Sequence, residues 1–162
     1  MALRFRSILC VDDQRLVHKL EETIRVNLIS PLRLTRGLLP GMIKNKYGRI
    51  VNVSSIWSLV AKPGRGAYAA SKGGLNALTR TLAVEVAKHN ILVNAVLPGF
   101  VDTELTRKNN PPPQLAELRA NIPLGRLAGV EEIAELIAWL CSEKNSYLTG
   151  QNIVIDGGYT CL

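Results

Sequence analysis

No apolar run in this chain approaches the roughly 18 residues that cross a bilayer, so the sequence offers no membrane-spanning helix. Cysteine is scarce. Cys10, Cys141 and Cys161 are odd in number and far apart, which suits neither a zinc-ligand pattern nor a disulfide framework and fits a reducing compartment. Cys141 is expected to pack in a helix as a small hydrophobe and Cys161 to be a mobile tail thiol. Aromatic residues make up only 5% of the chain, leaving few rings for stacking bases. The net charge is +7, yet no Lys/Arg run exceeds two, so the excess reads as a solvated surface and not a nucleic-acid footprint. It also suits attraction of an anionic cofactor or an acidic carrier protein. The opening MALRFRSILCVDD is basic and then briefly apolar, too short for a secretory signal and without a small-residue cleavage site. These features read as a soluble, cytoplasmic chain. With 162 residues, no repeats and no dividing linker, it reads as one unit, 1–162, able to bury a core.

What is present centres on residues 47–72, YGRIVNVSSIWSLVAKPGRGAYAASK. Ile50, Val51 and Val53 form a short apolar run after Gly48, as in a parallel strand covered on both faces. It ends in Ser54 and Ser55. A loop with Pro63, Gly64 and Gly66 leads to Tyr68-Ala-Ala-Ser-Lys72, where a helix begins. Tyr68 and Lys72 are four apart and share one helix face. A lysine ammonium and a helix N-terminus both favour a phenolate. Ser55 can aim a hydroxyl into the same cleft, which gives a proton donor, a cation and a hydrogen bond for a carbonyl oxygen. A Tyr-x3-Lys pair alone is weak evidence, since an exposed tyrosine beside a solvated lysine looks the same.

The order strand, serine, thirteen residues, tyrosine, four residues, lysine is far more specific. NVSS followed by YAASK resembles the active-site block of the short-chain dehydrogenase/reductase family. The resemblance implies an α/β fold: a partial Rossmann-like, doubly wound parallel sheet in a three-layer αβα arrangement, missing the first βα units. It implies NADP or NAD as cofactor, with NADP slightly preferred, and interconversion of a carbonyl and an alcohol. In that scheme Tyr68 is the general acid/base, Lys72 assists it and binds the nicotinamide ribose, and Ser55 polarises the substrate oxygen. Asn27, in the V-N-L context of RVNLISP, would order a relay water. The nearest-looking subgroup is the 3-oxoacyl-[acyl-carrier-protein] reductases, on NVSS, YAASKGG, VLPGFVDT and GQNIVIDGG. A carbonyl substrate, small or carrier-bound, and a homo-oligomer or association with full-length relatives follow from the same resemblance.

Elsewhere, Leu16, Leu20, Ile24, Leu28 and Leu32 recur every four residues and predict one long helix over 12–44. Asp12 and Asp13 favour its start, Pro31 should kink it or mark a boundary, and it gives way near Pro40-Gly41, Asn45 and Gly48. Ile91 to Leu97 read as a second buried strand, stopped by Pro98-Gly99. By resemblance, Pro98, Gly99, Val101 and Thr103 lie beside the nicotinamide. In 104–124 the prolines and Asn109-Asn110 exclude one continuous helix and leave a short one at 114–121, in the place of a substrate lid. Val130 to Cys141 is amphipathic, with Ile133, Leu136, Ile137 and Leu140 inward. Asn152 to Ile155 forms a last strand before Gly157-Gly158.

The family's glycine-rich turn after a first strand, and the residue that reads the ribose after a second, have no counterpart. The resemblance thus covers nearly all of this chain but only the C-terminal two-thirds of the family fold. Gly64-x-Gly66-x-x-Ala69 matches a dinucleotide fingerprint by letter, but its strand ends about nine residues too early. It reads as the approach to Tyr68. Without the early strands, one side of the 49–54 strand should stay unpaired, which favours lower stability or association. A non-catalytic subunit that joins full-length relatives through its helices is therefore the alternative reading.

Overall fold

The computed structural model describes residues 14–162. One sheet holds three parallel strands in the order β1 (Gly48–Val53), β2 (Ile91–Pro98), β3 (Asn152–Ile155). β2 is central, and Ile91 to Leu97 are all buried, as suits a run that is apolar but for Asn94. Its side chains alternate between two cores. Ile91 and Val93 pack with Leu82, Ala83 and Val86 of helix α3 (Gly66–Val86). Val96 packs on the other side with Ile133 and Leu140 of helix α6 (Val130–Cys141). The three-layer α/β expectation is thereby met.

Two buried amides fasten these layers. Asn94, 1% exposed, donates from Nδ2 to the Leu148 carbonyl (2.7 Å), and its Oδ1 accepts from the Gln151 N–H (3.1 Å). Asn52 donates to Thr79 Oγ1 on α3 (2.9 Å), and Thr79 donates in turn to the Leu75 carbonyl. Each partner satisfies a group that would be costly to bury alone.

β1 is less covered than its apolar run suggests. Ile50 faces the α3 side and Val51 the α6 side, both half-buried, and Val53 is 49% exposed. The reason is position: among the described residues β2 flanks it on one side and nothing on the other.

The long helix is a helical run from Gln14 to Asn45 in two parts, α1 (Gln14–Ile24) and α2 (Ser30–Asn45), joined by a π-turn at Arg25–Ile29. Pro31 enters the first turn of α2, where a missing N–H is tolerated. The helix runs through Pro40-Gly41 and ends at Asn45, close to its expected bound. Pro40 is exposed, so the carbonyl it leaves without a donor faces water, and Lys46 caps the end in a left-handed conformation (φ 50°). The leucine stripe is largely uncovered: Leu20 and Leu32 are exposed, and only Thr35 of α2 is buried. Asp12, Asp13 and Cys10 lie outside the described residues.

The 104–124 segment forms two helices, α4 (Glu104–Asn109) and α5 (Pro112–Ala120). The first was not expected. Thr103 Oγ1 caps it by accepting from the Thr106 N–H (3.1 Å), and Glu104 favours its N-terminus. α6 and β3 match their expected ranges. Cys141, expected to pack as a small hydrophobe, is exposed, because it is the last residue of α6 and lies beyond the Leu140 contact. No described helix is long and apolar enough to cross a membrane.

Candidate active site

The C-terminal end of β1 meets the N-terminal turns of α3, and the π-turn between α1 and α2 packs against the same turns. Ser54 still belongs to the sheet, donating its N–H to the Val96 carbonyl (2.8 Å). Ser55 follows in extended backbone and caps a 3-10 turn, Ile56–Ser58, by accepting from the Trp57 N–H (3.2 Å). Its hydroxyl is 7% exposed with the residue and acts as an acceptor there, so the hydroxyl hydrogen remains to be donated.

Tyr68 is the third residue of α3 and is half-buried. Lys72 lies one turn on, its Nζ 5.7 Å from the phenol ring centre. That Nζ donates to the Val53 carbonyl (2.8 Å), and burial pushes its pKa below the usual lysine value. The sheet geometry explains this bond. Gly48 and Ser54 aim their N–H groups toward the β2 side, so the intervening odd residues Arg49, Val51 and Val53 aim theirs outward. Lys72 thus holds a carbonyl on the open edge of β1.

Asn27 sits in the middle of the π-turn, half-buried, and donates from Nδ2 to Ser71 Oγ (3.1 Å). Ser71 is fully buried and donates to the Tyr68 carbonyl (2.7 Å). Asn27 is therefore tied to the turn that carries Tyr68 and Lys72. The π-turn and Ser71 escaped the sequence reading. Ser71 stands inside YAASK, next to Lys72, and that place was the available clue.

The turn after β2 holds the remaining four positions. Pro98 ends the strand, and Gly99 passes so close to β3 that an added Cβ would lie 2.7 Å from Asp156 Cβ. Val101 bridges to Ala128, and Thr103 is engaged as the α4 cap. Three aromatic rings also missed by the sequence reading meet here: Trp57, Phe100 and Tyr159, with centroids 5.1–6.4 Å apart and edge-to-face. They follow β1, β2 and β3 respectively, so each strand end supplies one ring.

These residues suit one end of a dinucleotide. The Lys72 ammonium, which gives one hydrogen to the Val53 carbonyl, retains others for a ligand's hydroxyls. They do not supply a pyrophosphate cradle. Gly64-x-Gly66 does open α3, but the Ile56–Ser58 turn and an exposed loop separate it from β1. Among the described residues no group of His, Cys, Asp and Glu is arranged to hold a metal ion.

A family model described as enoyl-(acyl carrier protein) reductase matches residues 15–160. An uncharacterised oxidoreductase of Bacillus subtilis, YmfI, is 45% identical over 87% of this chain and 58% of its own length. The 3-oxoacyl-[acyl-carrier-protein] reductase FabG of Thermotoga maritima is 46% identical over 90% of this chain and 61% of its own. Among solved structures, a gluconate 5-dehydrogenase of Burkholderia cenocepacia in complex with NADP and tartrate superposes with a TM-score of 0.85 at 29% identity, covering 90% of this chain and 57% of that one. A 4-hydroxyisoleucine dehydrogenase complexed with NADH and succinate gives 0.84 at 37% identity, over 88% and 60%. The chain thus spans less than two thirds of the length of these relatives. From the block NVSS–YAASK, the parallel sheet that carries it and the match over residues 15–160, the chain belongs to the short-chain dehydrogenase/reductase family, on the side of the 3-oxoacyl-[acyl-carrier-protein] reductases.

Proposed function

We propose that this chain carries the proton-transfer half of an NAD(P)-dependent interconversion of a carbonyl and an alcohol. The reading is supported by Asn27, tied through Ser71 to the helical turn that carries Tyr68 and Lys72, and by the Lys72 ammonium, which holds the Val53 carbonyl two residues before Ser55. When bound, the nicotinamide supplies or accepts the hydride. Ser55 donates its hydroxyl hydrogen to the carbonyl oxygen. Tyr68 gives that oxygen its proton in reduction and takes it back in oxidation. Lys72 holds positive charge beside the phenol and meets the ribose hydroxyls. Asn27 positions the route by which the proton is replaced. Pro98, Gly99, Val101 and Thr103 would hold the carboxamide end. A 3-oxoacyl thioester on a carrier protein is the substrate suggested by the FabG relatives. The cofactor is NADP or NAD, NADP slightly preferred; one solved relative is described with NADP and another with NADH.

The test is a titration of the purified chain with NADPH and with NADH, followed by nicotinamide fluorescence, then turnover with carbonyl substrates. Saturable binding and turnover lost by a factor of about 100–10,000 in Tyr68→Phe support the reading. A folded chain that binds neither dinucleotide sinks it as a stand-alone enzyme.

A second reading is a non-catalytic subunit that associates with full-length relatives or with itself. It is favoured by the apolar side chains that α1, the π-turn and α2 leave exposed, Val17, Val26, Leu34 and Leu38 among them. Co-purification with a full-length relative, unaffected by Tyr68→Phe, supports it. A monomer that ignores such a relative argues against it.

A further inference from the structure

The face of α3 that carries Tyr68 and Lys72 continues, at a further interval of four, to Asn76. Asn76 is 4% exposed, in the part of α3 that also buries Leu75, Leu82 and Ala83. Packing alone favours an apolar side chain at such a position. Its Nδ2 donates to Ser58 Oγ (2.7 Å). Its Oδ1 is buried and accepts no hydrogen bond among the described residues. A buried amide with half its capacity unused lowers stability, so the half in use needs a reason.

Ser58 supplies that reason. It closes the 3-10 turn on Ser55, and both its N–H (3.0 Å) and its hydroxyl donate to the Ser55 carbonyl. A hydroxyl has one hydrogen, and this one is given to Ser55. Only a donor can then meet Ser58 Oγ, and the Asn76 amide is that donor. A leucine has no hydrogen to give, and a carboxylate would draw the Ser58 hydrogen away from Ser55. On the other side, Lys72 holds the Val53 carbonyl (2.8 Å), two residues before Ser55. Helix α3 therefore grips the chain both before and after Ser55. The Ser55 hydroxyl, between the two grips, accepts from the Trp57 N–H (3.2 Å).

We propose that Asn76 is a positioning residue, which acts through Ser58 to fix the backbone of Ser55 and so the direction in which the Ser55 hydroxyl hydrogen points. Asn76 touches no reacting atom. The proposal rests on the reading of Ser55 as the group that meets the substrate oxygen. The fold bears the unpartnered Oδ1 because an apolar side chain of the same shape would leave Ser58, and with it Ser55, free to turn.

The experiment is amide exchange and proton–nitrogen NMR on the purified chain without cofactor, with the Trp57 backbone N–H reporting on Ser55 Oγ. The variants are Asn76→Leu, which keeps the shape of the side chain, Ser58→Ala, and Ser58→Thr, which keeps the hydroxyl. In Asn76→Leu and Ser58→Ala the Trp57 amide should exchange about tenfold faster and its proton signal should move upfield. Ser58→Thr should stay near the parent. The Asn52 amide in β1 should be unchanged throughout, and the urea midpoint of Asn76→Leu should equal or exceed the parent's. The proposal is overturned if Trp57 keeps the parent's signal and exchange in both Asn76→Leu and Ser58→Ala. It is also overturned if Trp57 quickens only in step with Asn52 while the urea midpoint falls, which makes Asn76 a support of the fold alone. Should Asn76→Leu not fold, Ser58→Ala, at a half-buried position, decides. Turnover gives a further readout: kcat should fall about tenfold in Asn76→Leu with the KM for the dinucleotide unchanged. Failure of the parent chain to bind NADPH or NADH counts against the hydride reading and leaves the Trp57 result standing.

Discussion

Pro31 stands four residues beyond Asn27, at the position whose N–H would reach the Asn27 carbonyl in a regular α-helix, and proline has no N–H to give. Just before it the ladder has already widened: the Ser30 N–H reaches back five residues to the Arg25 carbonyl, and Ser30 Oγ donates to the same oxygen (2.9 Å). The Asn27 carbonyl therefore has no α-helical donor, on the face that its side chain ties to Ser71.

Pro31→Ala is expected to return that donor. The helix should gain stability, on the order of 1–3 kcal/mol. The amide of the new alanine should be protected from exchange as it closes on Asn27, and any hydride-transfer activity should fall. Hydrogen exchange by NMR reads the first effect directly. A freely exchanging amide at position 31 would show that proline does not govern the carbonyl.

Thr79→Val should destabilise the fold by about 1–3 kcal/mol, because it strands the Nδ2 of Asn52, a residue only 8% exposed. Adding Asn52→Val should recover part of the loss, since both polar ends are then gone. Urea denaturation of the two single variants and the double variant gives the coupling. Strict additivity would contradict the pairing.

Glu132 accepts two hydrogen bonds from Arg126 (2.7 and 2.9 Å) and one from the Gly129 N–H (2.7 Å), which hold its carboxyl down at about 2. The folded value lies below the unfolded one. The stabilisation is therefore complete above about pH 4.5 and is lost as pH falls toward 2. Both side chains are about half exposed, so solvent screening keeps the size small and the pH of the step is the observable. Urea midpoints of the parent and Glu132→Gln should differ at pH 7 and converge near pH 2. A constant offset across that range would refute the assignment.

The open edge of β1 makes a prediction of its own. The amides of Arg49, Val51 and Val53 should exchange much faster than those of Ile50 and Asn52, which point toward β2. Even protection along the strand would mean that another chain covers the edge, and dilution should then restore the alternation.

The strands and α6 were legible because period and run length carry them. Ile91 to Leu97 has no polar break except Asn94, and Ile133, Leu136, Ile137 and Leu140 keep one face. The open edge was legible from what precedes β1 in the chain. α4 was masked by the prolines and the Asn109-Asn110 pair after it, although Thr103 and Glu104 already spelled a helix start. The leucine stripe gave the helix but not its cover, because period says which residues share a face and not what lies over it. At the site, the Tyr68–Lys72 spacing and the place of Ser55 followed from order along the chain. The π-turn did not, since it depends on where one carbonyl finds a donor. The ring cluster did not either, because Trp57, Phe100 and Tyr159 meet only once three strand ends are aligned.

Asn94 has a consequence for folding order. Its partners, Leu148 and Gln151, lie 54 and 57 residues farther along the chain. Until β3 docks, β2 carries a bare amide in the middle of its most apolar stretch. β3 brings only four residues of ladder to the closure of so long a loop. Contacts of this range slow folding. Docking of β3 is thus the expected late step, and it tolerates one register, because a slip by a residue would turn the amide from its two partners and leave it buried alone. Asn94→Val would remove the ruler: the sheet should still collapse, but the C-terminal strand would lose the means to find its place.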